Sequence, residues 1–155
     1  MDTPFGTYAL PARWAESGSK SRSLCRFGSL DHLDLRRLFD GYMECFDRLD
    51  GPGAAAYYSA PSFVVKNGSV TRFGSSEKAD YFSALMEANA AEGEHRWEIA
   101  DFEVALPAAN GAIVTVRWVA QRPGGSVIWD FKDTYFLADT RHGWRILGDM
   151  VHDDQ

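Results

Sequence analysis

The chain has 155 residues and 17.3 kDa, is 45% apolar and 25% charged, and carries a formal charge of −6 with a pI near 5.1. That length supports one domain with a real core, and that balance excludes an intrinsically disordered chain. The longest uninterrupted apolar run is the five residues Ala54 to Tyr58, far short of the roughly eighteen that read as a membrane helix, so no membrane span is expected.

Charge and cysteine usage narrow the partners. Residues 1–28 carry a net charge of +2 and the remainder −8, with no Lys/Arg run, so the acidic body is expected to bind no nucleic acid. Residues 1–28 lack the apolar core of a standard signal peptide. Cys25 and Cys45 stand twenty apart without a CxxC spacing or a neighbouring His pair, which predicts reduced thiols, no metal site and a cytoplasmic location.

In chain order, residues 1–28 are broken by Pro4, Gly6, Pro11, Gly18, Gly28 and a Ser-rich stretch, and are read as a flexible tail before a domain at 29–155. From Ser29, apolar residues recur every three to five positions through Leu49, which predicts a helix over 29–49. Asp50-Gly51-Pro52 ends it, and a short second helix is expected over Gly53–Ser59, stopped before Pro61. Phe63–Lys66 and Ser69–Phe73 flank Asn67-Gly68, the pair suited to a two-residue type I′ hairpin. A third helix follows, capped by Ser75 or Ser76 and closed by Gly93.

The last sixty residues read as four strands, His95–Leu106, Ala112–Arg122, Val127–Ala138 and Trp144–His152, separated by turns too short for crossovers. Helices first and strands last predict an α+β fold, three N-terminal helices packed in a strongly curved, mostly antiparallel sheet. No Gly-rich phosphate loop follows a strand, so no nucleotide cofactor is expected.

Strand alternation then sorts the side chains. Trp129, Phe131, Asp133, Tyr135 and Leu137 share one face; Val114, Val116 and Trp118 share another; Trp144, Ile146, Gly148, Met150 and His152 share a third. Asp133 is therefore a carboxylate among rings, which must be protonated, paired or hydrogen-bonded. Trp118, Trp129, Phe131, Tyr135 and Met150 are expected around it. Tyr42 falls on the helical stripe with Leu38 and Phe46. His152 is a candidate for a base at the cavity mouth, and a Lys66–Asp133 ion pair is the alternative to a protonated Asp133.

The element order, with Asp133-Thr134-Tyr135-Phe136-Leu137 followed by His142-Gly143-Trp144-Arg145-Ile146, resembles the NTF2-like superfamily, including SnoaL-like and ketosteroid-isomerase-like proteins. The resemblance covers about residues 29–152. It implies a cone-shaped α+β barrel with an apolar pocket and a homodimer formed through the sheet. The outer face facing that second copy would carry Thr115, Arg117, Val119 and Gln121 beside Lys132, Thr134 and Phe136. It further implies an isomerase, dehydratase or cyclase without cofactor, acting on a small apolar molecule with a carbonyl or hydroxyl. The isomerase's oxyanion-hole tyrosine maps onto Tyr42, its oxyanion-hole acid onto Asp133, and its general-base aspartate onto Lys66, a departure in residue type. The alternative is a non-catalytic ligand-binding or dimerisation module, in which a Tyr42–Asp133 hydrogen bond only orients helix against sheet.

Overall fold

The computed structural model describes residues 27–152, with side chains from residue 31 onward. Nearly all of the expected tail, and the last three residues, lie outside the described residues. Helix α1 spans Phe27–Asp47 and turns Leu35, Phe39, Tyr42 and Cys45 inward at three- and four-residue spacing. Asp50 then caps α2, Gly51–Ala55, by accepting the Gly53 N–H at 2.8 Å.

The expected helix over Gly53–Ser59 is corrected here. It ends at Ala55, and Tyr58 already opens β1, Tyr58–Lys66. The Ile146 N–H donates to the Tyr57 carbonyl at 2.9 Å and Tyr58 pairs with Ile146, so long-range strand pairing overrides the local helical tendency of the alanine run. Strand β2, Ser69–Phe73, returns through Asn67 and Gly68, both at positive φ as a type I′ turn requires. Helix α3 spans Ser75–Ala90; its cap is Gly74, whose N–H donates to Glu77 Oε2 at 2.7 Å, in place of the serine expected there.

Strands β3 (Arg96–Ala108), β4 (Gly111–Gln121), β5 (Val127–Thr140) and β6 (Gly143–Val151) complete one six-stranded sheet in the order β2-β1-β6-β5-β4-β3. Every pairing is antiparallel except β1 with β6. This is the α+β arrangement expected, with the sheet curved around the helices.

Two irregularities bend the sheet at one place. In β6, Ile146 pairs with Leu137 but Gly148 pairs with Phe136, so Leu147 is an extra residue and a β-bulge. In β1, Tyr58 pairs with Ile146 but Phe63 with Gly148, so the chain loops out between them. The missing side chain of Gly148 makes room for the Phe63 ring on the sheet's outer side.

Candidate functional site

The concave face of the sheet and helices α1 and α3 line a cavity of about 540 Å³. Strand parity delivers its walls: Trp118 from β4, and Trp129, Phe131 and Tyr135 from β5, all line it as expected. Phe46 of α1, Phe82 of α3 and Trp97 of β3 join them. On the wall the indoles of Trp97 and Trp129 stack, 5.6 Å between centroids and 9° between planes, and Phe131 meets Trp97 edge-on. Such a wall suits an apolar body.

The inner end of the cavity is polar. Asp133 is 5% exposed and lies on the cavity wall, and no described residue hydrogen-bonds its Oδ1. Burial pushes the Asp133 carboxyl well above its ordinary value, and the nearby Asp149 charge pushes further; the Tyr135 hydroxyl, Lys78 and the Thr134 backbone pull the other way and lose. That environment favours the neutral form of the Asp133 carboxyl, which can donate a hydrogen bond. Tyr135 itself accepts a 3.0 Å hydrogen bond from Trp118 Nε1, which fixes both rings.

Asp149, also 5% exposed, lies beside it on β6 and lines the same cavity. Tyr58 donates to Asp149 Oδ1 at 2.8 Å, and Lys78 Nζ stands 3.9 Å from the same oxygen. Burial raises this carboxyl too, but Lys78 and the Tyr58 hydrogen bond oppose it. Lys78 is 2% exposed and boxed by rings, its Nζ 4.0 Å from the Tyr58 centroid and 4.9 Å from that of Phe82. Burial lowers this ammonium to about 8 despite both carboxylates. Two carboxyls on one wall, one beside a cation and one without, are driven apart in proton affinity; that is the arrangement acid–base chemistry uses.

Several expectations change. Tyr42 and Asp133 both line the cavity, but the Tyr42 hydroxyl lies 3.4 Å from that of Tyr58, placing Tyr42 in the chain that leads to Asp149. Met150 is 42% exposed and points outward, because the Leu147 bulge inverts the alternation and turns Asp149 and Val151 inward instead. Lys66 is exposed at the mouth, and the buried amine is Lys78, facing Asp149. His152 lines the cavity at its rim, its Nε2 2.7 Å from Thr134 Oγ1. Val119, expected on the outer surface, is buried.

Signals for the residues missed were present. Lys78, Phe82 and Met86 fall at i, i+4, i+8 and all three are buried, so Lys78 belongs to the apolar stripe of α3. Gly148 inside a strand pattern is a bulge signal, and the bulge brings in Asp149. Tyr58 was hidden by the alanine run before it. No helix among the described residues is long and apolar enough to cross a membrane. No group of three or more His, Cys, Asp or Glu side chains among them has the geometry to hold a metal ion.

With this geometry in place, the likeness to other proteins is specific for fold. An NTF2-like protein of unknown function from Shewanella oneidensis MR-1 superposes with a TM-score of 0.64 at 20% identity, over 79% of this chain and 99% of that one. An NTF2-like protein with a cystatin-like fold from Novosphingobium aromaticivorans gives 0.67 at 17% identity, over 84% and 88%. A domain of unknown function with a cystatin-like fold from Nostoc punctiforme gives 0.66 at 18%, over 82% and 79%. No curated protein matches the sequence significantly. Residues 33–154, the span that builds the helices, the curved sheet and the aromatic cavity, match the family described as NTF2-like protein (DUF6841), and the chain belongs to that family.

Proposed function

We propose that the protein is a cofactor-independent acid–base enzyme that binds a small apolar molecule by its carbonyl or hydroxyl oxygen. The observation that supports this best is Asp133: a buried carboxyl on the wall of an aromatic cavity, where burial favours its protonated form, with one oxygen that no described residue hydrogen-bonds. A neutral acid so placed donates a hydrogen bond to a substrate oxygen and stabilises negative charge developing there. Tyr42, Tyr58 and Tyr135 are all raised by burial and stay protonated at ordinary pH, so the hydroxyls around the carboxyls remain donors. The reaction class that fits is a proton shift, as in an isomerase or a dehydratase.

Other parts of the reading follow from the same surfaces. The working unit is residues 29–155, acting in the cytoplasm as a homodimer through the outer face of the sheet, where Leu147 and Met150 are exposed. Sedimentation as a monomer at micromolar concentration would remove the dimer. Binding is tested by titrating 2-tetralone, a bicyclic aromatic ketone, and following tryptophan emission, since Trp97, Trp118 and Trp129 all line the cavity. Saturable quenching is expected, and its absence overturns the reading. Saturable binding of a broad ligand panel without turnover of any member would instead favour a non-catalytic binding module.

A further inference from the structure

An acid alone does not complete a proton shift; some group must take the proton from carbon. The isomerase resemblance assigns that place to Lys66, which is exposed at the mouth. We propose that Asp149 is the proton acceptor of this cavity and Lys78 its positioning residue, and that the substrate class is enolisable ketones, compounds with a C–H bond next to the carbonyl. This rests on the reading of Asp133 as donor.

The placement comes from sheet register. Tyr135 pairs with Asp149 and Asp133 with Val151, so the two carboxylates are diagonal neighbours on the inner face, about 7–8 Å apart at the backbone. With each carboxyl within hydrogen-bond reach of its target, that spacing spans a carbonyl oxygen and a hydrogen on the next carbon. Asp149 is on the wall because of the Leu147 bulge, and bulges recur next to active sites because they re-aim a side chain.

The two carboxyls differ in what holds them. Asp149 accepts from Tyr58 and faces the Lys78 ammonium, whose Nζ has no hydrogen-bond partner among the described residues. A cation boxed by rings is costly to keep unless an anion stands beside it. The groups around Asp149 are Tyr42 from α1, Tyr58 from β1, Lys78 and Tyr81 from α3, and Asp133 and Tyr135 from β5. Lys78 is the cation among them, and its one ion pair among the described residues is with Asp149. A bridge serving only to tie α3 to β6 does not require its carboxylate to line the cavity.

The step balances without another reactant. Asp149 removes the hydrogen next to the carbonyl as a proton, and the C–H electron pair forms the enol C=C. The carbonyl π pair meanwhile takes the proton of Asp133. Asp149 is then protonated and Asp133 ionised. Returning the Asp149 proton to a carbon conjugated with the enol, and the enol O–H proton to Asp133, releases the isomer and restores both residues. Nothing is oxidised or reduced.

The test follows the full-length protein with 2-tetralone in D2O, reading tryptophan quenching for binding and the loss of the ketone's α-hydrogen signals by proton NMR for exchange. The wild type is expected to exchange these hydrogens at least 100-fold faster than buffer. Asp149→Asn should lose about 10²–10⁴-fold of that acceleration while still quenching. Lys78→Met removes the cation that favours ionised Asp149, so the acidic limb of the rate profile should move to higher pH; a lysine with a structural role only leaves that limb in place. If Asp149→Asn fails to fold, Tyr58→Phe makes the same test, because losing its hydrogen bond also moves the limb up. Quenching without exchange in the wild type overturns this inference and leaves the binding reading standing, as does full exchange in a folded Asp149→Asn. Absence of quenching overturns both.

Discussion

Asp130 and Asp133 lie three residues apart on β5 and titrate in opposite directions. The odd spacing puts them on opposite faces of the strand. Asp130 is exposed and accepts two hydrogen bonds from Arg117, 2.8 Å from Nε and 2.7 Å from the terminal nitrogen, which hold its carboxyl below the ordinary value. Asp133 has no such cation in contact and is raised by burial. The same residue type is an exposed ion-pair member at one position and, three residues on, a buried carboxyl that we propose as an acid. Strand parity decides which, and the decision is electrostatic before it is chemical.

The largest effect that would break this contrast is expected from Asp133→Asn. The amide keeps the shape but cannot donate a proton to oxygen, so exchange should fall by at least about 10²-fold. Stability should move the opposite way. A raised carboxyl leaves the folded state fully favoured below its ordinary value of 3.8, and that advantage is lost as pH rises through the folded value. The variant escapes the loss. Its Tm should match the wild type near pH 3 and exceed it at pH 7 by about 2–6 °C, as when a functional site is relieved of strain. Equal Tm values across that range would mean that Asp133 is not desolvated.

Lys78→Met is expected to be next in size. Burial lowers Lys78 from 10.5 to about 8, so between those values the unfolded chain holds a proton that the folded chain has released. Stability relative to the variant should therefore rise from pH 8 to pH 10.5, by up to about 3 kcal/mol from the size of the shift. The buried tyrosines are raised and bend both curves downward above pH 10, which is why the difference between the two proteins is the quantity to measure. A pH-independent difference would place Lys78 in water.

Gly148→Ala probes the bulge that separates the two faces. Any Cβ there drives into the Phe63 ring, so the ring or the strand must shift, at a cost of about 1–3 kcal/mol in urea unfolding. Asp149 is the next residue, so the variant's exchange rate should fall with its stability. An unchanged midpoint would show that Phe63 has room to move.

How much of this was legible follows the same two faces. Regular alternation along β4 and β5 placed Trp118, Trp129, Phe131, Asp133 and Tyr135 in the cavity, because those strands run without a break through these positions. The β6 side departs at Leu147, where one extra residue reverses the alternation after it, so Met150, expected inside, faces out and Asp149 faces in. Lys78 was missed for a different reason. A lysine on a helix is ordinarily solvated, and its burial depends on Asp149, a partner 71 positions away in the chain and itself turned inward by the bulge. Hairpin, helix order and sheet direction are local signals; the placing of Asp133 and Asp149 on one wall is a product of register.

The smallest effect should come from Asp130→Asn, and its value lies in its sign. The Arg117–Asp130 pair is two-pronged, but its side chains are 47% and 40% exposed, so water and salt screen it and little is gained from holding two long side chains in one geometry. At about 0.15 M salt and pH 7, no measurable change in Tm is expected. The pH signature is the informative part. A lowered carboxyl stabilises the folded state above its ordinary value of 3.8, and that contribution disappears as pH falls through the folded value. Any deficit of Asp130→Asn in low salt should therefore be present at pH 7 and vanish in acid, whereas the Asp133→Asn surplus at pH 7 also vanishes in acid but with opposite sign. If both variants deviate from the wild type in the same direction at pH 7, the two faces of β5 do not differ electrostatically, and the assignment of Asp133 as the acid falls with that contrast.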